Sequence, residues 1–176
     1  FDNKININLT NLDFKYNDIL IGLNIKNNET KFKHYNTNLK LEKLKKVSNI
    51  NNSQIPKILH FIWLGDNQYP QQYYLYLNSW LEKYHDFIFC FWNDDNLFNL
   101  YNQKIFDKSN TYAQKSDIAR YEILYQYGGI YVDCDVFSIK NIENLLNNID
   151  IFSGYESDKY IAIGLMGFNS KNIYLK

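Results

Sequence analysis

The chain has 176 residues, 45% of them hydrophobic and 18% aromatic, which is enough apolar side chain to bury the core of one domain. Seven Gly and two Pro exclude collagen-like repeats and flexible linkers, and the aromatic content excludes an intrinsically disordered chain. With 19 basic and 19 acidic residues the formal charge is zero, so no overall field gathers a nucleic-acid backbone.

The first fifty residues are rich in Asn and weakly periodic, with short apolar alternations at Ile5, Ile7 and Leu9 and an apolar run over residues 19–22. Residues 1–54 read as a partly helical N-terminal extension. Within it, Leu41, Leu44 and Val47 stand at helical spacing with lysines opposite, the pattern of a solvated helix face. The chain begins at Phe1 rather than Met, which leaves room for an upstream segment.

Residues 57–63 form a near-continuous apolar run between Pro56 and Gly65, as in a strand buried on both faces. The longest such run, residues 58–64, falls far short of the roughly 18 residues a membrane span needs. His60 lies in the middle of it and reads as a buried, hydrogen-bonded histidine rather than a base or ligand. Residues 71–84 place Tyr73, Leu77, Trp80, Leu81 and Tyr84 along one helical stripe. A second buried strand follows at residues 87–92, where Asn93, Asp94 and Asp95 offer caps for a short helix over residues 96–101. Strand, helix and strand without polar alternation predict parallel strands in an α/β domain over residues 55–176. Ligands in such sheets bind beyond the carboxyl ends of the strands, here Trp63–Asp66, Trp92–Asp95 and the end of the next strand. Cys90 and Cys134 read as small buried hydrophobes, not as a disulfide framework.

Residues 113–127 are mostly good helix formers, and Gly128-Gly129 supplies the positive-φ ending that turns the chain into a strand over residues 130–132. Ala113, Asp117, Arg120 and Leu124 share a helical stripe, and Ile118, Tyr121 and Tyr125 define a second one. The Asp117–Arg120 pair is therefore predicted to be partly buried and to hold either each other or a polar ligand. At the strand's end come Asp133-Cys134-Asp135; in extended geometry the two carboxylates lie about 7 Å apart on one side, suited to a shared hard cation. Residues 161–168 read as a further strand.

Taken in order, Ile55-Pro-Lys-Ile-Leu-His-Phe-Ile-Trp-Leu-Gly65, Ser79-Trp80, Ala113-x-x-Ser-Asp-x-x-Arg120 and Gly128-Gly-x-Tyr-x-Asp-x-Asp135 resemble the DXD-containing sugar-transferase family of the yeast initiating α-1,6-mannosyltransferase. There is a more distant likeness to the glucosylating clostridial toxins. The resemblance covers roughly residues 55–168 and leaves the N-terminal third unmatched. It implies a GT-A fold, a Rossmann-like and mostly parallel sheet flanked by helices, with further elements past Lys176 completing the acceptor side and the metal shell. It also implies retaining transfer of a hexose from a UDP- or GDP-sugar to a glycan or protein acceptor, with Mn²⁺ or Mg²⁺. By the same resemblance Asp117, Arg120, Asp133 and Asp135 carry the chemistry, Asp133 and Asp135 hold the metal, and Trp63 stacks on the base. Ile62, Tyr112, Ser116 and Tyr131, with Asp117, Arg120 and Asp133, line the donor. Two other readings of the residues stand beside this one. One is a nucleotide-sugar or glycan-binding module without turnover. The other is an Asp-dependent phosphatase, against which Phe137 occupies the position where that class carries Thr or Val.

Overall fold

A computed structural model describes residues 54–67 and 69–176, together with the backbone of three two-residue strands nearer the N-terminus. These short strands are β1 (Leu20–Ile21), β2 (Ile25–Lys26) and β3 (Glu29–Thr30). The helix expected over residues 39–47 lies outside the described residues. Of the run at residues 19–22, Leu20–Ile21 is a strand that pairs in parallel with the central sheet.

The sheet is built on β4 (Ile58–Ile62), β5 (Ile88–Trp92) and β6 (Gly129–Val132), every residue of which is buried. β4 pairs in parallel with β5, Ile58 opposite Ile88 through Ile62 opposite Trp92, and on its other side with β6. The unbroken apolar runs follow from this placement, because alternate residues supply two cores. Leu59, Phe61, Phe89, Phe91, Ile130 and Val132 face α1 (Tyr73–Leu81), which contributes Leu77, Trp80 and Leu81. Ile58, Ile62, Ile88, Cys90, Trp92 and Tyr131 face α3 (Tyr112–Tyr127), which contributes Ala119, Ile123, Leu124 and Tyr127. A hairpin of β7 (Ile151–Ser157) and β8 (Tyr160–Phe168) completes the sheet: β8 reverses direction and lies antiparallel to β6, and β7 lies antiparallel to β8. The strand order is β1-β5-β4-β6-β8-β7, a mixed α/β sheet that is parallel in its central part. Among the described residues no helix is long and apolar enough to cross a membrane.

One predicted element is absent. Residues 96–101 are not a helix, because Asn93 Oδ1 accepts from the amides of Asp95 and Asn96 while Asn96 Oδ1 accepts from the Asn93 amide, which closes a side-chain-stabilised turn. The next helix, α2 (Gln103–Lys108), starts further on, where the Glu122 carboxylate of α3 accepts from the amides of Tyr101 and Asn102. α3 starts at Tyr112, one residue before the predicted 113, capped by the Thr111 hydroxyl, which accepts from the Gln114 amide at 3.2 Å. At its far end Gly128 and Gly129 take φ of 66° and 101°, and the chain enters β6 without an intervening loop.

Candidate functional site

Because β4, β5 and β6 run in parallel, their carboxyl ends lie together, and Trp63, Asn93 and Asp133 follow them directly. Trp63 donates its amide to the Trp92 carbonyl, and the Asp94 carboxylate accepts the Gly65 amide at 2.6 Å. Asp94 therefore ties one strand end to the next instead of capping a helix. Gly65 has φ of 86°, and the Tyr112 ring occupies the space where a side chain would begin, which seats the start of α3 on the loop after β4.

Arg120 is the centre of the polar cluster. It is 5% exposed, projecting from the sheet-facing side of α3 beside Ala119 and Ile123, and its guanidinium lies 4.4 Å from the centroid of the Tyr131 ring. Nη2 pairs with Asp117 Oδ1 at 2.7 Å, Nη1 lies 3.4 Å from Asp133 Oδ1 and 3.0 Å from the Ile163 carbonyl, and Nε reaches the Ser116 carbonyl. The fork of one guanidinium thus joins α3, the end of β6 and the middle of β8. Asp117 is half-exposed, so only its partner is buried, and the face turned to the sheet is Ala119, Arg120, Ile123, Leu124 and Tyr127. Ala113 and Tyr121 are exposed, contrary to the two stripes expected.

Tyr131 donates its hydroxyl to Asp133 Oδ1 at 2.6 Å and has Ser116 Oγ at 3.3 Å. Burial pushes the Tyr131 phenol far above its ordinary range, with Asp133 adding to the rise and Arg120 opposing it, so the group stays protonated and acts as a donor to Asp133. The two aspartates of the Asp133-Cys134-Asp135 triplet do not share one face of a strand. β6 ends at Val132, and residues 133–136 form a turn closed by the Val136 amide on the Asp133 carbonyl at 3.0 Å. Asp133 enters the Arg120 cluster, while Asp135 is exposed and faces Tyr73, whose phenol is raised first by burial and next by that carboxylate. Cys134 points inward between them and gives its thiol to the Ile62 carbonyl.

Asp135 borders an aromatic group. Trp63 is half-buried, meets Tyr69 and Tyr73 edge-on at 5.3 and 5.9 Å, and donates its indole N–H to the Asn67 carbonyl. Ile62 is a core residue, its side chain packed on the α3 side. Ser79 and Trp80 on α1 hold the loop beyond Asp135: Ser79 Oγ accepts the Ser138 amide and Trp80 Nε1 donates to the Val136 carbonyl, both at 2.8 Å. That bond pair gives the Ser79-Trp80 motif its structural purpose. His60 is fully buried, with Trp92 Nε1 donating to its Nδ1 and its Nε2 donating to the Gly128 carbonyl. Burial lowers it to about 4, so it is neutral and structural, as predicted.

Sequence reasoning missed the contribution of β8. The Ile163 carbonyl accepts from Arg120, and the Gly164 carbonyl accepts the Asp133 amide at 2.7 Å. The only local signal is a glycine inside an apolar strand, which marks a close approach of backbone or ligand.

Three carboxylates and one guanidinium compose the set Asp117, Arg120, Asp133 and Asp135, an oxygen-rich and net acidic group suited to a hard divalent cation. No cluster of three His, Cys, Asp or Glu side chains capable of holding a metal occurs among the described residues. Among the described residues the Asp133 and Asp135 carboxylates are the candidates for such a cation, with phosphate and water oxygens as the further ligands it would need.

Residues 70–152 match the family described as "Glycosyltransferase sugar-binding region containing DXD motif". The chain is 34% identical over 110 residues to an uncharacterized glycosyltransferase of Acanthamoeba polyphaga mimivirus, a match covering 58% of this chain and 44% of that protein. It is 29% identical over 124 residues to inositol phosphoceramide mannosyltransferase 1 of Schizosaccharomyces pombe, covering 62% and 39% respectively. Among solved structures it is similar to the PaToxG glycosyltransferase, with a TM-score of 0.55 and 18% identity over 78% of this chain and 64% of that one; this shows a shared fold. The chain spans less than half the length of both curated relatives.

Proposed function

We infer that this chain, whose residues 70–152 match the family of DXD-containing glycosyltransferase sugar-binding regions, moves a hexose from a nucleoside-diphosphate sugar to a glycan, lipid or protein hydroxyl. The observation that carries the reading is the Arg120 cluster, which joins three elements at the carboxyl end of a parallel sheet and engages the Asp117 and Asp133 carboxylates. Asp117 and the Asp133 carboxylate, both oriented by Arg120, accept hydrogen bonds from sugar or ribose hydroxyls, while the Tyr131 hydroxyl fixes the Asp133 rotamer. The half-buried Trp63, set nearly perpendicular to the rings of Tyr69 and Tyr73, is the aromatic side chain proposed to stack on the base.

In the transfer an acceptor oxygen bonds to the anomeric carbon, the bond from that carbon to the diphosphate oxygen breaks, and the acceptor proton passes to the departing diphosphate or to solvent. Asp135, the exposed carboxylate, is the main metal ligand, with Asp133 beside it. A bound Mn²⁺ or Mg²⁺ supplies charge neutralisation of the leaving diphosphate. Retention at the anomeric carbon is the stereochemistry proposed.

Replacing Asp135 by Asn is expected to abolish Mn²⁺-dependent hydrolysis of UDP-glucose or GDP-mannose and transfer from it. A variant that keeps wild-type, metal-independent turnover overturns the assignment. Thermal stabilisation of the wild type by UDP or GDP with Mn²⁺ but no sugar release would instead make the chain a binding module of the same fold.

A further inference from the structure

We propose that Gly164 on β8 is a positioning residue of the donor site, because the space left by its missing side chain is the seat of the Asp133 carboxylate. The inference rests on the reading of Asp133 as a donor-contacting residue. Gly164 is not among the positive-φ glycines, so the path of the chain does not require glycine here. Space does: a Cβ at this position would stand 2.6 Å from Asp133 Oδ2 and 3.3 Å from its Cγ. The backbones of the two residues are already joined by the Asp133 amide and the Gly164 carbonyl at 2.7 Å, so neither main chain can retreat without losing that bond.

The other oxygen, Oδ1, takes the Tyr131 hydroxyl at 2.6 Å and faces Arg120 Nη1 at 3.4 Å. A methyl group at position 164 must therefore push Oδ2 outward and swing Oδ1 away from both donors. What yields is the tip of a side chain at the rim of the sheet, so the fold tolerates the change and the site does not. The neighbouring Ile163 carbonyl holds the same Nη1 at 3.0 Å, so β8 contributes an empty position and two main-chain acceptors to one cluster. This wall lies beyond residue 152, where the family match ends.

The test compares Gly164→Ala with Gly154→Ala, a control on β7 where a Cβ meets nothing within 4 Å. Arg120 is the one arginine in the sequence, so its Nε–H gives a single, self-assigned signal in a ¹⁵N spectrum of the ligand-free protein. That signal is expected to move in Gly164→Ala and to stay in Gly154→Ala; an unmoved signal overturns the proposal. Affinity for UDP-glucose or GDP-mannose with Mn²⁺ is expected to fall about tenfold or more in Gly164→Ala, the scale of one lost charge-assisted hydrogen bond. In an Asp133→Ala background the same change should cost nothing further, and full additivity overturns the proposal. If Gly164→Ala alone does not fold, recovery of folding in that background reports the same clash, and failure to recover refutes it. A wild type that binds neither nucleotide sugar refutes the donor reading, while the arginine signal still decides the seat of Asp133.

Discussion

Arg120 is the one arginine beside 18 lysines, and it is buried where the lysines among the described residues are not. Burial of a cation is costly unless it is paired, and here Asp117 and Asp133 offset the charge while the Ile163 and Ser116 carbonyls accept from the guanidinium. A lysine keeps the charge but not the fork, and cannot reach Asp117 and Ile163 together. Arg120→Lys is therefore expected to lower kcat/KM for the donor roughly 100-fold, from one or two charge-assisted hydrogen bonds at about 1.5–3 kcal/mol each. A steady-state comparison with wild type checks this. The Asp117–Arg120 pair was legible in the sequence because helix spacing brings the two side chains together, whereas the Tyr131–Asp133 bond and the approach of Asp133 to Arg120 depend on how α3 packs on β6. Ile163 and Gly164 were not legible, since only the register of β8 on β6 brings them to the site, and a one-residue slip would present different groups. The expected extended geometry, with Asp133 and Asp135 on one side of a strand, failed for a local reason: β6 ends at Val132 and a turn over residues 133–136 sends the two carboxylates apart.

At the level of elements, the passage from α3 into β6 is the junction that sets Arg120 against Asp133. Gly129 there has φ of 101°, and an added Cβ would lie 2.7 Å from the Ile58 carbonyl oxygen and 3.0 Å from His60 Nε2. Both obstacles are backbone or fully buried groups, unlike the mobile carboxylate at Gly164. Gly129→Ala is accordingly expected to destabilise the fold by roughly 3 kcal/mol or more, measured by urea unfolding, from backbone strain plus overpacking. The helix and strand on either side were readable because each has a strong periodicity and the glycine pair punctuates them. Residues 93–101 misled because Asn and Asp serve both as helix caps and as turn formers, and here the Asn93 and Asn96 side chains close on each other's backbones. β7, exposed along nearly its whole length, carries no apolar run from which a buried strand could be read.

For the molecule as a whole, His60 links the two halves of the parallel core through Trp92 on β5 and the Gly128 carbonyl at the end of α3. Burial lowers its pKa from 6.5 to about 4, so the folded state holds it neutral while the unfolded chain takes up a proton below pH 6.5. Its contribution to stability is complete above pH 6.5 and declines as the pH falls to about 4, by up to roughly 3 kcal/mol at 1.36 kcal/mol per unit. Unfolding free energies measured across that window should fall for the wild type and fall less steeply for His60→Gln.

β6 is the strand at which the sheet changes direction, parallel to β4 on one side and antiparallel to β8 on the other. The parallel side is sealed by two cores, whereas β7 and the first part of β8 are largely exposed. Both links from β8 to the site, the Ile163 carbonyl on Arg120 and the Gly164 carbonyl on the Asp133 amide, cross this seam. Fraying of the hairpin releases them together and leaves the parallel bonds intact, so the integrity of the Arg120 cluster follows the local opening equilibrium of two surface strands, separate from the global stability of the domain.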